Sequence, residues 1–282
     1  RNPASQETYI ALDIGEAIIL GGTKDNIENY RYETGDGTRV SGANIYRELV
    51  TIPSVQAFLA GGGSDPTVLR RANLEYLTQE RISTLEVGYK GILNGNLLVD
   101  LNVYRNRYRD FVTRIPVYSL LVNRAYAIYT NIDDEISSWG GGATFQYQLP
   151  QDFLLDLNYS YADFDADQAQ KNNPEFVPAF NTPKHRFQAG LSNKEVVKGK
   201  GIGFNLRFRW SDGYLWQSPF GQGAIESYQV VDASLTYKIP AARSLLKLGA
   251  NNLFNREYRQ IYGGPHVGSH YYISLTFDEM FR

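Results

Sequence analysis

From Ile82 to Phe277 apolar and polar residues exchange places at every second position, in one segment after another. In "LLVDLNV", Leu97, Val99, Leu101 and Val103 oppose Leu98, Asp100 and Asn102. In "FLLDLNYSY", Phe153, Leu155, Leu157, Tyr159 and Tyr161 oppose Asp156, Asn158 and Ser160. "GIGFNLRFRW" sets Ile202, Phe204, Leu206, Phe208 and Trp210 against Asn205, Arg207 and Arg209. A period of two is that of a strand with two unlike faces, and it cannot be met by a helix. Nine strands are expected, at 82–91, 96–112, 125–149, 153–166, 182–193, 201–216, 226–239, 245–257 and 269–279. The predicted class is all-β and antiparallel.

The connections also alternate. Short links at 92–95, 150–152, 194–200 and 240–244 take turns with long ones at 113–124, 167–181, 217–225 and 258–268. Asn94-Gly95 is a tight-hairpin pair. Short turns at one end and long loops at the other are the mark of an outer-membrane β-barrel, with periplasmic turns below and extracellular loops above. Tyr159, Tyr161, Trp210, Tyr214, Phe254 and Tyr258 fall toward the long-loop ends, where an interfacial aromatic girdle belongs. A soluble carbohydrate-binding sandwich would alternate in the same way. A self-contained small barrel, whether porin, adhesin or enzyme, is a further alternative.

Composition narrows the function. Charged residues make up 21% with a net charge of −2, which gives no basic field for nucleic acid. There is no Cys, hence no disulfide framework and no thiolate metal site. Twenty-one Tyr and 26 Gly favour strands and turns. No apolar run approaches the ~18 residues of a membrane-spanning helix, a statement that does not bear on barrels. Residues 1–80 are irregular, with turn-formers such as "ETGDGTRVSG" and "AGGGSDP" between short apolar runs, and are expected to form one long ordered extracellular loop ahead of the strands of 81–282.

The segment "LGANNLFNREY", followed by a loop and "HYYISLTF", resembles the C-terminal end of TonB-dependent outer-membrane transporters. "LTQERISTLEVGYKGILNGNLLVDLNVYRNRYRDF", "DDEISSWGGGATFQYQLPQDFLLDLNYSYADF" and "NTPKHRFQAGL" resemble successive hairpins of the same family, in its order. The resemblance implies that the strands are the last nine of a barrel of about 22 with a plugged lumen. It implies residence in the outer membrane and uptake of a scarce nutrient (a ferric siderophore or similar chelate, cobalamin, a glycan or a peptide) with energy from the TonB complex through an upstream plug that this chain does not contain. Outer-membrane lipid and lipopolysaccharide are implied contacts, and a surface lipoprotein is a candidate partner. Phe277 and Phe281 compete as the terminal aromatic that signals assembly.

No enzymatic chemistry is expected, and no cofactor. Ser, His and Asp occur without a nucleophile elbow or triad spacing. His266 and His270 stand four apart in a loop entering a strand, and Asp163, Asp165 and Asp167 lack the Gly and distal acid of a calcium loop, so no metal site is expected. Cargo contact is assigned instead to the long loops: Tyr214, Trp216 and Phe220 from "WSDGYLWQSPFGQG", and Tyr262 and His266 from "QIYGGPHVGSH". Arg105, Arg107 and Arg109 continue the apolar parity of Leu97 to Val103 past the apolar band. They are candidates for lipopolysaccharide phosphates, which suit the guanidinium fork. At Asn251-Asn252 the alternation slips, which predicts a β-bulge as the strand leaves the bilayer.

Overall fold

The computed structural model describes residues 1–218 and 221–277. Its largest element is a nine-stranded antiparallel sheet made of Arg81–Leu93, Leu97–Arg109, Ile136–Gln148, Phe153–Asp165, His185–Val197, Ile202–Ser211, Tyr228–Ile239, Ser244–Asn251 and His270–Phe277. Each strand pairs with the next of the nine, so the wall is a simple up-and-down meander. Its outer strands, Arg81–Leu93 and His270–Phe277, each have one unpaired edge, so the described sheet does not close on itself. Asn94 and Gly95 turn the first hairpin with φ of 48° and 75°, the left-handed pair that a two-residue hairpin loop needs.

The register carries the predicted parity from strand to strand. One row runs Leu97, Tyr147, Leu155, Leu191, Leu206, Ala233, Ala250 and Tyr271, all on one face. The opposite face holds Lys90 paired with Asp100 at 2.8 Å, Asn158 donating to Thr144, and Arg209 on Asp232 at 2.6 Å. Asp156 reaches across Gly190 to Arg207 at 3.4 Å, extending a ladder of alternating charge along this face. On the first face Leu85, Val103 and Ile273 are 72%, 63% and 71% exposed, and no second sheet covers them among the described residues. A sandwich would bury that face, whereas a barrel turns it to lipid. From Phe153 to Tyr161 the apolar run spans ~27 Å along the strand, or ~21 Å along the membrane normal at a ~40° tilt, close to the ~25 Å band of outer-membrane barrels. Among the apolar residues of this outward parity Val99 and Ala250 are buried, and beside Val99 the Tyr89 ring folds over Gly91, its partner in the ladder.

Several predicted strands need correction: those expected at 201–216 and 245–257 end at Ser211 and Asn251, and two others change the architecture. The wall strand expected at 96–112 ends at Arg109, and the one expected at 125–149 starts only at Ile136. Between them Phe111–Ser119 and Arg124–Ile132 form a hairpin that leaves the wall and joins residues from the first 80. Together they make a five-stranded mixed sheet, in the order Ala11–Asp13, Ala17–Leu20, Arg124–Ile132, Phe111–Ser119, Leu49–Thr51, with Ala17–Leu20 parallel to its neighbour. Four short helices, Ser5–Tyr9, Lys24–Asn29, Gly42–Arg47 and Ile52–Ala60, flank these strands, so residues 1–80 carry much regular structure.

This cap has its own core, with Ile18, Leu20, Ile27, Ile45, Leu49, Val117, Tyr126 and Ile128 buried together. The same cluster takes in Ile136, and Tyr108 and Phe164 pack against it; all three occupy the polar-face parity at the long-loop ends of their wall strands. Phe176, from the long connection after Asp165, completes it. The cap therefore leans over the inner face of the wall at the long-loop rim. Glu80 fastens it there: its buried carboxylate accepts the amide of Val112 at 3.0 Å, one residue before the wall begins.

Candidate functional site: the long-loop rim

The wall strands Ile202–Ser211, Tyr228–Ile239 and Ser244–Asn251 end at the same rim as the cap, and two long connections meet above them. In the first of them Tyr214–Ser218 pairs antiparallel with Gly221–Ile225. Its Tyr214 hydroxyl donates to the Gln260 carbonyl at 2.6 Å, tying it to the connection 252–269. Burial, with Tyr228 nearby, raises the Tyr214 phenol above its ordinary value. Trp216 pairs with Gly223, and the Tyr262 ring lies on that glycine so closely that a Cβ there would meet it at 1.9 Å. The two loops are thus interlocked, and Tyr214, Trp216 and Tyr262 share one junction. His266 lines the hollow beneath this junction, with Nδ1 3.3 Å from the Glu257 carboxylate. Phe220 lies outside the described residues.

Beneath the junction is a small hollow of about 260 Å³, lined in part by Glu226, Tyr228, Arg256, Tyr258, Arg259 and His266. Tyr228 and Tyr258 stack with centroids 4.1 Å apart. Tyr228 shares the inner-face parity of Asp232, so this stack stands over the lumen, and Tyr258 is not part of the outer girdle that its position suggested. Below it Arg209 holds Asp232 through two bonds of 2.6 and 2.9 Å. Asp232 also accepts the amide of Asn252 at 2.9 Å. Asn252 has φ +54° and is fully buried, and its side chain bonds both N–H and C=O of Arg256. The slip at Asn251-Asn252 is accordingly a strand end knotted by an Asn side chain, and the predicted bulge is absent there.

Elsewhere the sequence-derived candidates divide. Arg105, Arg107 and Arg109 all point outward above the apolar band and are exposed. Arg107 is 3.8 Å from Glu135, and Arg109 faces Arg81 across the ladder. Asp163 is held by Lys184 at 2.7 Å, and Asp165 accepts the amide of Asp167 at the start of a short helix. Among the described residues no three His, Cys, Asp or Glu side chains gather to hold a metal ion. His185 sits on the outer face, its Nδ1 2.7 Å from the Tyr159 hydroxyl.

Residues 28–253 match the family model described as TonB dependent receptor-like, beta-barrel. The chain belongs to this family of TonB-dependent receptors. Solved structures agree on the receptor's fold. The iron transporter FrpB from Neisseria meningitidis, in its F5-1 variant and apoprotein form, superposes with a TM-score of 0.54 at 14% identity, covering 70% of this chain and 31% of that one. The siderophore receptor PirA from Acinetobacter baumannii gives 0.52 at 14% identity, with 70% and 31% covered. This receptor chain thus spans about a third of the length of the solved receptors it resembles, and the likeness is one of fold. No curated protein sequence matches it. The receptor residues that sequence reasoning missed are Tyr228 in its stack with Tyr258, and the Asp232 junction. Their signal was the inner parity of Arg209 and Asp232 on adjoining strands, legible once those strands are paired.

Proposed function

We propose that this receptor chain is part of the wall and rim of an outer-membrane transporter that takes up a scarce nutrient with energy relayed from the TonB complex. The observation that carries the reading is the two-faced wall: an exposed apolar outer face and an inner face of paired charges, the arrangement of a barrel with a polar lumen. An apolar lumen would not wet, and a polar outer face would not enter lipid.

On this reading the long-loop end faces the outside. Residues 1–80 with the hairpin 111–132 form an extracellular lid, and its support is the core that closes on Ile136, Tyr108 and Phe164 of the inner face. The interlocked loops form the other side of the vestibule, where Tyr214, Trp216, Tyr262 and His266 meet cargo through ring faces and an imidazole. The cargo class is a small chelate, with ferric siderophores first; FrpB is named an iron transporter and PirA a siderophore receptor.

The double variant Tyr214→Ala/Tyr262→Ala in the full-length receptor tests the vestibule against a panel of ferric siderophores and cobalamin. Loss of binding with heat-modifiable barrel migration intact supports it. Loss of folding with no specific binding defect makes the two rings struts between loops and removes them from the site.

A further inference from the structure

On the outer face the strand Ile136–Gln148 carries Gly141 and Ala143 where its neighbours carry large side chains. A Cβ on Gly141 would lie 2.5 Å from the Asn102 carbonyl, so the backbone there is bare because nothing larger fits. The result is a groove of about 750 Å³ along the strand, walled by Val87 and Val103 on one side and Tyr159 and Tyr161 on the other. Trp139, tilted against Tyr161 at 4.7 Å, stands at its upper end. There it runs into a second hollow of about 760 Å³ that shares Val87, Val103 and Trp139 and reaches Arg105 and Lys184.

The charges at that upper end are unequal across the groove. Arg81, Arg105, Arg107 and Arg109 stand on the two strands of one wall, and among the described residues only Asp110 and Glu135 pair with them. Arg105 is the arginine that lines the hollow, and it has no carboxylate partner among the described residues. On the far wall Lys184 is neutralised by Asp163, while Asp165 and Asp167 add negative charge about 10 Å away, two strands over. An anion is therefore accommodated over the arginine strands and repelled from the other wall.

An apolar trough beneath an unpaired guanidinium, at the long-loop edge of a lipid-facing band, complements an amphiphile with an acyl tail and a phosphate head. We propose that this groove seats one acyl chain of a phosphorylated glycolipid of the outer leaflet, lipopolysaccharide, with a lipid phosphate held by Arg105. The fork of Arg105 bonds the phosphate oxygens in two directions, as a lysine in that place would not. Arg107 and Arg109 contribute field above it. The proposal rests on the barrel reading, since the groove must face lipid.

The test is native mass spectrometry of the full-length receptor, extracted in mild detergent and scored first for heat-modifiable migration. The wild type should retain about one lipopolysaccharide. Arg105→Gln should lower retention about tenfold, the loss of one charge-assisted bond. Ala143→Phe should do the same by filling the trough, because position 143 already carries a Cβ. Arg243→Gln, at a short turn on the opposite rim, should leave retention unchanged. Equal retention in wild type and Arg105→Gln overturns the proposal, as does a wild type that holds phosphatidylglycerol in place of lipopolysaccharide. If Ala143→Phe does not fold, Arg105→Gln decides alone. A wild type that shows no heat-modifiable barrel contradicts the barrel reading itself, a failure separate from that of the lipid seat.

Discussion

Leu206 and Asn205 are neighbours in the chain and lie on opposite faces of the wall, so a charge placed at each in turn isolates the effect of facing. Leu206 is the central outward residue of its strand, between Ile202 and Trp210, and is 44% exposed. It lies four residues from either of these ends, ~14 Å along the strand and ~10 Å along the normal at a ~40° tilt. An arginine there therefore stays close to the midplane, where the cost is about 2–4 kcal/mol. That corresponds to between one and a half and three powers of ten in the folding equilibrium, roughly. Asn205 faces the inner hollow shared with Arg207, Asp232 and Lys247, a polar and wet environment, and Asn205→Arg should cost ~0.5 kcal/mol or less. Urea titration of the full-length receptor refolded into lipid vesicles reads both. Equal destabilisation by the two substitutions would refute the assigned faces. Leu248→Arg should behave like Leu206→Arg, while Asn158 is a poorer inward control because it is bonded to Thr144.

Further outcomes follow from the cap and the rim. Glu80→Ala leaves the Val112 amide buried without its acceptor and should cost the cap about 1–3 kcal/mol while the wall melts unchanged, as hydrogen exchange of the two parts would show. Tyr126 is buried in the cap core and Tyr46 is half-buried against it, and desolvation raises both phenols above their ordinary value. The unfolded chain releases these protons at pH ~10 and the folded cap does not, so their contribution is intact below that pH and is lost above it; a tyrosinate absorbance step that coincides with cap unfolding is the expected result, and free titration of both phenols in a folded cap would contradict it. Gly223→Ala drives a Cβ into the Tyr262 ring and should undock the connection 252–269 at a local cost of about 1–3 kcal/mol, seen as faster proteolysis of that loop on intact cells with no change in barrel assembly. Deleting 15–75 strips the cover from Ile115, Val117, Tyr126 and Ile128, so the remaining hairpin should aggregate; deleting the hairpin 111–132 as well should restore an assembled barrel with impaired uptake.

The wall was legible in the sequence because its physics is local: a period of two, an Asn-Gly turn and alternating loop lengths give nine strands and both faces, and the register bears this out down to Lys247 lying inward over Tyr272. What was not legible depended on distant partners. The hairpin 111–132 alternates like a wall strand, and only its pairing with Ala17–Leu20, about a hundred residues earlier, shows that it belongs to another sheet. The cap core likewise draws Ile27 and Ile45 from short runs that look like loop until the hairpin is set against them. At the rim, the junction of Tyr214 with Gln260 was foreseeable from adjacent strands. The turning of Tyr258 inward onto Tyr228 was not, since alternation stops at Asn252 and nothing local says which way the chain goes next.

The most direct measurement of the central claim is accumulation of radiolabelled ferric siderophores by cells carrying the full-length receptor, with and without a functional TonB complex. The account predicts that at least one chelate accumulates only when TonB is functional, and that Tyr214→Ala/Tyr262→Ala lowers its uptake while the barrel remains heat-modifiable. Accumulation that is the same without TonB, from a receptor that is correctly assembled, would contradict it.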